Sequence, residues 1–161
     1  MGAKPTVRFG SCSYTFAERK SLVILNMNAK AFQLKVKVPE SAIDNMDHVN
    51  NVKYLQWVQD VAEAHWQDNS TPEMLKKYAW VALEHTIKYH APAFKDDEII
   101  LETWVEKFEG VRSIRHTKIF RPKDDKILST AITQWCLLSM PMGRPMRVPD
   151  EFTEIYERAN Q

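Results

Sequence analysis

From Ala31 the chain alternates apolar and polar side chains. Phe32-Gln33-Leu34-Lys35-Val36-Lys37-Val38 predicts a strand with one buried face, closed by Pro39. The period then changes. From Val52 to about Gln67, Leu55, Val58, Ala62 and His65, with Tyr54 and Val61, fall on one helical face. Lys53, Gln56, Asp60, Glu63 and Gln67 fall on the other, and Asp68-Asn69-Ser70-Thr71-Pro72 breaks the helix. Further strand-like runs cover Trp80 to Tyr89, Ile99 to Phe108, Ser113 to Phe120 and Ile127 to Leu138. In the third of these, Ile114, His116, Lys118 and Phe120 alternate with Arg115, Thr117 and Ile119. Short polar turns such as Glu109-Gly110 and Pro122-Lys123-Asp124-Asp125 join successive runs, which favours an antiparallel meander. After Gly143-Arg144-Pro145-Met146-Arg147-Val148-Pro149, a short helix places Phe152, Ile155, Tyr156 and Ala159 on one face, with Asp150, Glu151 and Glu154 near its positive end.

This order predicts an α+β fold. One long helix cannot cover both faces of a five-stranded sheet, so the economical arrangement is a sheet curved around that helix. An exposed strand edge then invites pairing with a second subunit. Residues 1–26 lack sustained periodicity and carry Lys4, Arg8, Arg19 and Lys20 against Glu18. They read as an accessory N-terminal extension, with a targeting segment as the competing reading, and the domain proper as residues 27–161.

Composition narrows the class. At 161 residues, 44% hydrophobic and 27% charged, the chain suits one folded domain. A net charge of +1 gives no reason to expect nucleic acid as a partner. Cys12 and Cys136 make a disulfide framework improbable, and the scattered histidines show no metal-ligand spacing. The run Leu22-Val23-Ile24-Leu25 is far too short to cross a membrane. The expectation is a cytoplasmic protein without metal, cofactor or membrane partner.

Chemistry concentrates in Asp44-Asn45-Met46-Asp47-His48-Val49-Asn50-Asn51, a polar loop that runs straight into the long helix. A helix start offers unpaired N–H groups and a partial positive charge. A carboxylate beside it supplies a base or nucleophile next to oxyanion donors. Asp44 and His48 are the candidate reactive side chains. Asp47 reads as a solvated loop residue, and Asn50 or Asn51 as the N-cap.

Asp44-x-x-x-His48-Val49-Asn50-Asn51-Val52-Lys53-Tyr54-Leu55-x-Trp57, in this element order, resembles the active-site segment of hotdog-fold thioesterases. It is similar to both the 4-hydroxybenzoyl-CoA thioesterase-like branch and the plant acyl-ACP thioesterases, and Gly143-Arg144-Pro145-x-Arg147-Val148-Pro149 looks like an ending common in such proteins. The resemblance implies a curved antiparallel sheet wrapped around one long central helix, with a short C-terminal helix. It implies Asp44 as nucleophile or general base, and the backbone N–H of Asn51 as the group that polarises the thioester carbonyl. The plant enzymes use an Asp-x-Asn-x-His arrangement. Asp44 and His48 fit it, but Met46 stands in the middle, so the Asp-centred mechanism is preferred with His48 as accessory.

Asn50, Tyr54, Arg112, Arg115, Arg144 and Arg147 complete the candidate substrate-binding set, the arginines as ligands for coenzyme A phosphates. The expected activity is hydrolysis of an acyl-CoA to free acid and thiol. An acyl-ACP thioesterase and a non-catalytic acyl-thioester binding module are the alternatives. The resemblance further implies a homodimer, or a dimer of dimers, whose sheets join edge to edge. The run Trp80 to Tyr89 is the candidate joining edge.

Overall fold

The computed structural model describes residues 23–24 and 31–158. The expectation of an accessory segment over residues 1–26 lies outside the described residues apart from the strand β1 (Val23–Ile24). The remaining strands are β2 (Phe32–Lys37), β3 (Tyr78–Tyr89), β4 (Glu98–Glu109), β5 (Arg112–Arg121), β6 (Lys126–Ser139) and β7 (Arg144–Pro145). The helices are α1 (Asn51–Asp68), α2 (Pro72–Lys77) and α3 (Asp150–Arg158). The strands form one antiparallel sheet in the order β1-β2-β4-β5-β6-β3, with β7 also paired to β6. Register shifts at Ala82/Glu84, Val105/Lys107 and Ile119/Phe120 mark bulges, which bend and twist the sheet. The sheet curls around α1 in the hotdog arrangement.

The core lies between α1 and the concave face of the sheet. Tyr54, Trp57, Val58, Val61, Ala62 and His65 are buried on α1. Tyr54, Trp57, Val58 and Val61 among them cluster with Leu34, Ile99, Leu101, Ile119 and Leu128 from the strands. Leu55 is only half-buried, while Trp57 is buried at 3% exposure. The stripe is centred on positions 54, 58, 61 and 65, and Trp57 borders that line one turn after Tyr54. A second cluster caps the far end: Phe152 of α3, fully buried, packs with Met74, Tyr78, Leu137 and Val148. Of the apolar face expected for α3, Phe152 and Tyr156 are buried and Ile155 partly so, while Ala159 is outside the described residues.

The sequence reading lacked α2. Thr71 caps it by accepting the Met74 N–H at 3.2 Å, and Pro72 sits in its first turn, where a missing N–H costs nothing. The same Thr-Pro pair that ends one helix therefore starts the next. On β5 the concave face is the one carrying Ser113, Arg115, Thr117, Ile119 and Arg121, all buried. β3 occupies one end of the sheet order, and its second edge is unpaired among the described residues. No helix among these residues is long and apolar enough to cross a membrane.

Candidate active site

A small hairpin aims the polar loop at the start of α1. Ile43 and Val49 form an antiparallel bridge. It is flanked by Asn50 N–H donating to Ala42 O at 2.9 Å and Asp44 N–H donating to His48 O at 2.8 Å. The turn closes through the Asp44 carboxylate, whose Oδ1 accepts the Met46 N–H at 2.8 Å. Asp47 takes the left-handed conformation with φ 61°, a region aspartate tolerates, and is exposed. It is a turn residue.

Asn50 caps α1, its Oδ1 accepting the Val52 N–H at 2.9 Å. The Asn51 N–H, one of the helix's first amides, makes no hydrogen bond to a described residue.

Behind the loop, Val49 N–H donates to Ala93 O at 2.9 Å, and Ala93 N–H donates to the Tyr54 hydroxyl at 3.2 Å. Burial raises the Tyr54 phenol above its ordinary pKa, so it stays neutral. His48 meets the Phe94 ring edge-on at 5.3 Å. Asp97 anchors this 93–94 backing strip. Its carboxylate accepts the Phe94 N–H at 3.0 Å, Arg121 Nη1 at 2.6 Å and Lys123 Nζ. Burial alone would push the Asp97 carboxyl up. The hydrogen bonds from Lys123, the Phe94 amide and Arg121 outweigh it and hold the group below the usual carboxylate range.

These constraints bring Asp44, His48 and Asn51 onto the wall of a single cavity of about 300 Å³. Met46, Tyr54, Tyr89 and His90 also line it. Tyr89 and His90 are the residues that sequence reasoning missed. The Tyr89 hydroxyl donates to Asn51 O at 3.3 Å, and His90 Nε2 lies 2.8 Å from Thr130 Oγ1. Both leave β3 just before Ala91-Pro92, and nothing along the chain announces that this strand exit meets the helix start.

The other candidates separate. Asn50 uses its side chain as the cap and is absent from the cavity wall. Arg112 opens β5, Arg144 lies in β7 and Arg147 follows it; all are exposed and none lines the Asp44 cavity. Arg115 is buried rather than on a phosphate-binding surface, because position 115 falls on the concave face of β5 beneath α1.

The thioesterase-like superfamily matches residues 38–155. The chain belongs to that superfamily. Thioester hydrolysis, the activity class of the superfamily, follows for this thioesterase. It is 21% identical over 131 residues to the long-chain acyl-CoA thioesterase FadM of Escherichia coli (strain K12), covering 78% of this chain and 97% of that one. Among solved structures it resembles Slr0204, a 1,4-dihydroxy-2-naphthoyl-CoA thioesterase from Synechocystis (TM-score 0.68, 16% identity, 78% of this chain and 95% of that chain). It also resembles the probable thioesterase YbaW from Escherichia coli (0.68, 22%, 80% and 98%). SAV2348 from Staphylococcus aureus, solved in complex with CoA, is a further structural relative (0.73, 15%, 83% and 86%).

Proposed function

We propose that this thioesterase hydrolyses acyl-CoA, with Asp44 as the group that starts the reaction. The observation that carries the reading is the convergence of Asp44, His48 and Asn51 on one cavity at the start of α1. The Asp44 carboxylate either attacks the thioester carbonyl, giving an acyl–aspartyl anhydride that water then hydrolyses, or takes a proton from an attacking water. In both routes the carbonyl oxygen gains negative charge. The Asn51 N–H, at the positive end of α1, is the donor available to meet it. Collapse of the tetrahedral intermediate expels the coenzyme A thiolate, which is protonated from solvent. His48, held against Phe94, orients the loop or the attacking water. The exposed arginines Arg112, Arg144 and Arg147 are the cations proposed for the coenzyme A phosphates. A carrier-protein thioester is the alternative substrate.

The reading includes a homodimer joined through β3, in a cytoplasmic setting. One edge of β3 is unpaired among the described residues, with Leu83 53% exposed, and the strand's two ends border different cavities. Tyr89 lines the Asp44 cavity, whereas Tyr78, Ala79 and Trp80 line the larger one. Antiparallel pairing of two β3 strands about a twofold would lay one protomer's larger cavity beside its partner's Asp44 cavity.

Thiol release from acyl-CoAs of increasing length tests the assignment. Turnover that disappears in a folded Asp44→Asn protein supports it. Full turnover in that variant overturns it, and tight acyl-CoA binding without any turnover would make the wild-type protein a binding module.

A further inference from the structure

Arg115 and Arg121 are both 6% exposed on the concave side of β5, yet their surroundings differ. Arg121 is paired with Asp97 and Asp124. Arg115 donates through Nη1 to His65 Nδ1 at 2.9 Å and to Thr103 Oγ1 at 3.2 Å, and it also hydrogen-bonds the Tyr156 side chain, whose ring centre lies 5.9 Å from the guanidinium. None of these partners is an anion. Burial, with the charge of Arg115 adding to it, pushes the His65 pKa down to about 3, so the imidazole is neutral and accepts from the guanidinium. Among the described residues no carboxylate pairs with Arg115. A buried cation without a counter-ion is expensive, and a protein that keeps one usually has use for it.

Arg115 is also on the wall of a cavity of about 420 Å³ between α1, the start of β3 and α3. Much of the remaining wall is aromatic, with Trp66, Trp80, Phe108, Trp135 and Tyr156, and Gln59, Gln67 and Ser113 add polar groups to it. The indole N–H of Trp135 is a buried donor with no hydrogen-bond partner among the described residues. Glu63 also lines the cavity, but it is exposed on α1 and accepts a hydrogen bond from Gln67. The chamber is therefore mainly apolar, with a guanidinium in its wall that no carboxylate among the described residues pairs. Such a chamber suits an apolar chain or ring that ends in an anionic oxygen group.

We propose that this cavity receives an apolar group bearing a terminal carboxylate, which pairs with Arg115. Resting on the thioesterase and dimer readings above, that group is the far end of an acyl chain whose thioester lies in the partner's Asp44 cavity, and the substrate class is the CoA thioester of a dicarboxylic acid. The carboxylate supplies the missing counter-charge, and a methyl-terminated chain leaves it unsupplied.

The test has two arms on the full chain. In the first, tryptophan fluorescence is titrated with octanoate and with 1-octanol, neither of which is a thioester. Octanoate binding about tenfold tighter than 1-octanol, with that difference removed by Arg115→Met and retained in Arg115→Lys, is the expected result. Equal affinity of the wild-type protein for the two overturns the proposal, even if Arg115→Met fails to fold. In the second, kcat/KM is compared for adipyl-, suberyl- and sebacyl-CoA against hexanoyl-, octanoyl- and decanoyl-CoA. The diacid member of at least one pair is expected to be favoured about tenfold. No preference in any pair overturns the substrate assignment. Arg115-dependent octanoate binding without hydrolysis of any ester would leave the anion site standing and remove the thioesterase reading.

Discussion

Arg115 Nη1 sits 2.9 Å from His65 Nδ1, joining the last turns of α1 to the middle of β5 beneath them. The contact requires a neutral imidazole, and it sets an acid limit on the fold. With the folded His65 pKa lowered from 6.5 to about 3, only the unfolded chain takes up a proton as pH falls below 6.5. The stabilisation is fully present above 6.5 and is lost as pH falls toward 3. The loss approaches about 1.4 kcal/mol per pH unit from this group. Urea unfolding between pH 7 and 4 should show it, and His65→Gln should have a shallower acid slope by up to one proton.

Asp44→Asn should keep the fold and remove the reaction. The asparagine Oδ1 can still accept the Met46 N–H, so the turn survives. Loss of a base or nucleophile is expected to lower kcat/KM by about 10²–10⁴-fold. Steady-state thiol release together with a melting curve checks both halves.

The cap on α1 links stability to the proposed oxyanion site. Asn50→Ala removes the acceptor for the Val52 N–H and should cost about 1 kcal/mol. Because Asn51 follows directly, kcat should fall more than KM rises. Asn50→Asp, which keeps the acceptor, should restore stability in a urea titration.

Asp97 lies outside the Asp44 cavity wall, yet it should matter to turnover. Removing its charge leaves Arg121 with Asp124 and weakens the strip on which the proposed catalytic loop rests. Asp97→Ala is expected to destabilise by about 3–5 kcal/mol, the range for breaking one side of a buried ion pair. Hydrogen exchange should show faster opening of the Phe94 and Val49 amides in this variant.

The β3 edge gives a test of assembly. Placing aspartates at Leu83 and Thr86, both exposed, puts like charges in register across a twofold pair. Light scattering should report a dimer for the parent chain and a monomer for the double variant. If the partner completes the site, turnover should fall with dissociation.

Local physics is legible along the chain wherever one residue's neighbours in sequence are also its neighbours in space. The alternation from Phe32 to Val38, the stripe on α1 and the turn at Glu109-Gly110 all specify their elements this way. So does the loop from Asp44 to Asn51, because a turn closing onto a helix cap is built from consecutive residues. Period-two alternation on β5, however, divides its residues into two sets without saying which one faces the helix. Only the curl of the sheet puts Arg115, and not His116, beneath α1. The same holds for Tyr89 and His90, which reach the Asp44 cavity because β3 ends beside a helix start nearly forty residues earlier in the chain. By itself the sequence determined the long helix, the five main strands, the C-terminal helix, their order and the polar loop, all set by local backbone and side-chain preferences, while the short α2 escaped it. The tertiary structure decided which charges are buried, which are paired and what surrounds them, because those depend on contacts between distant segments.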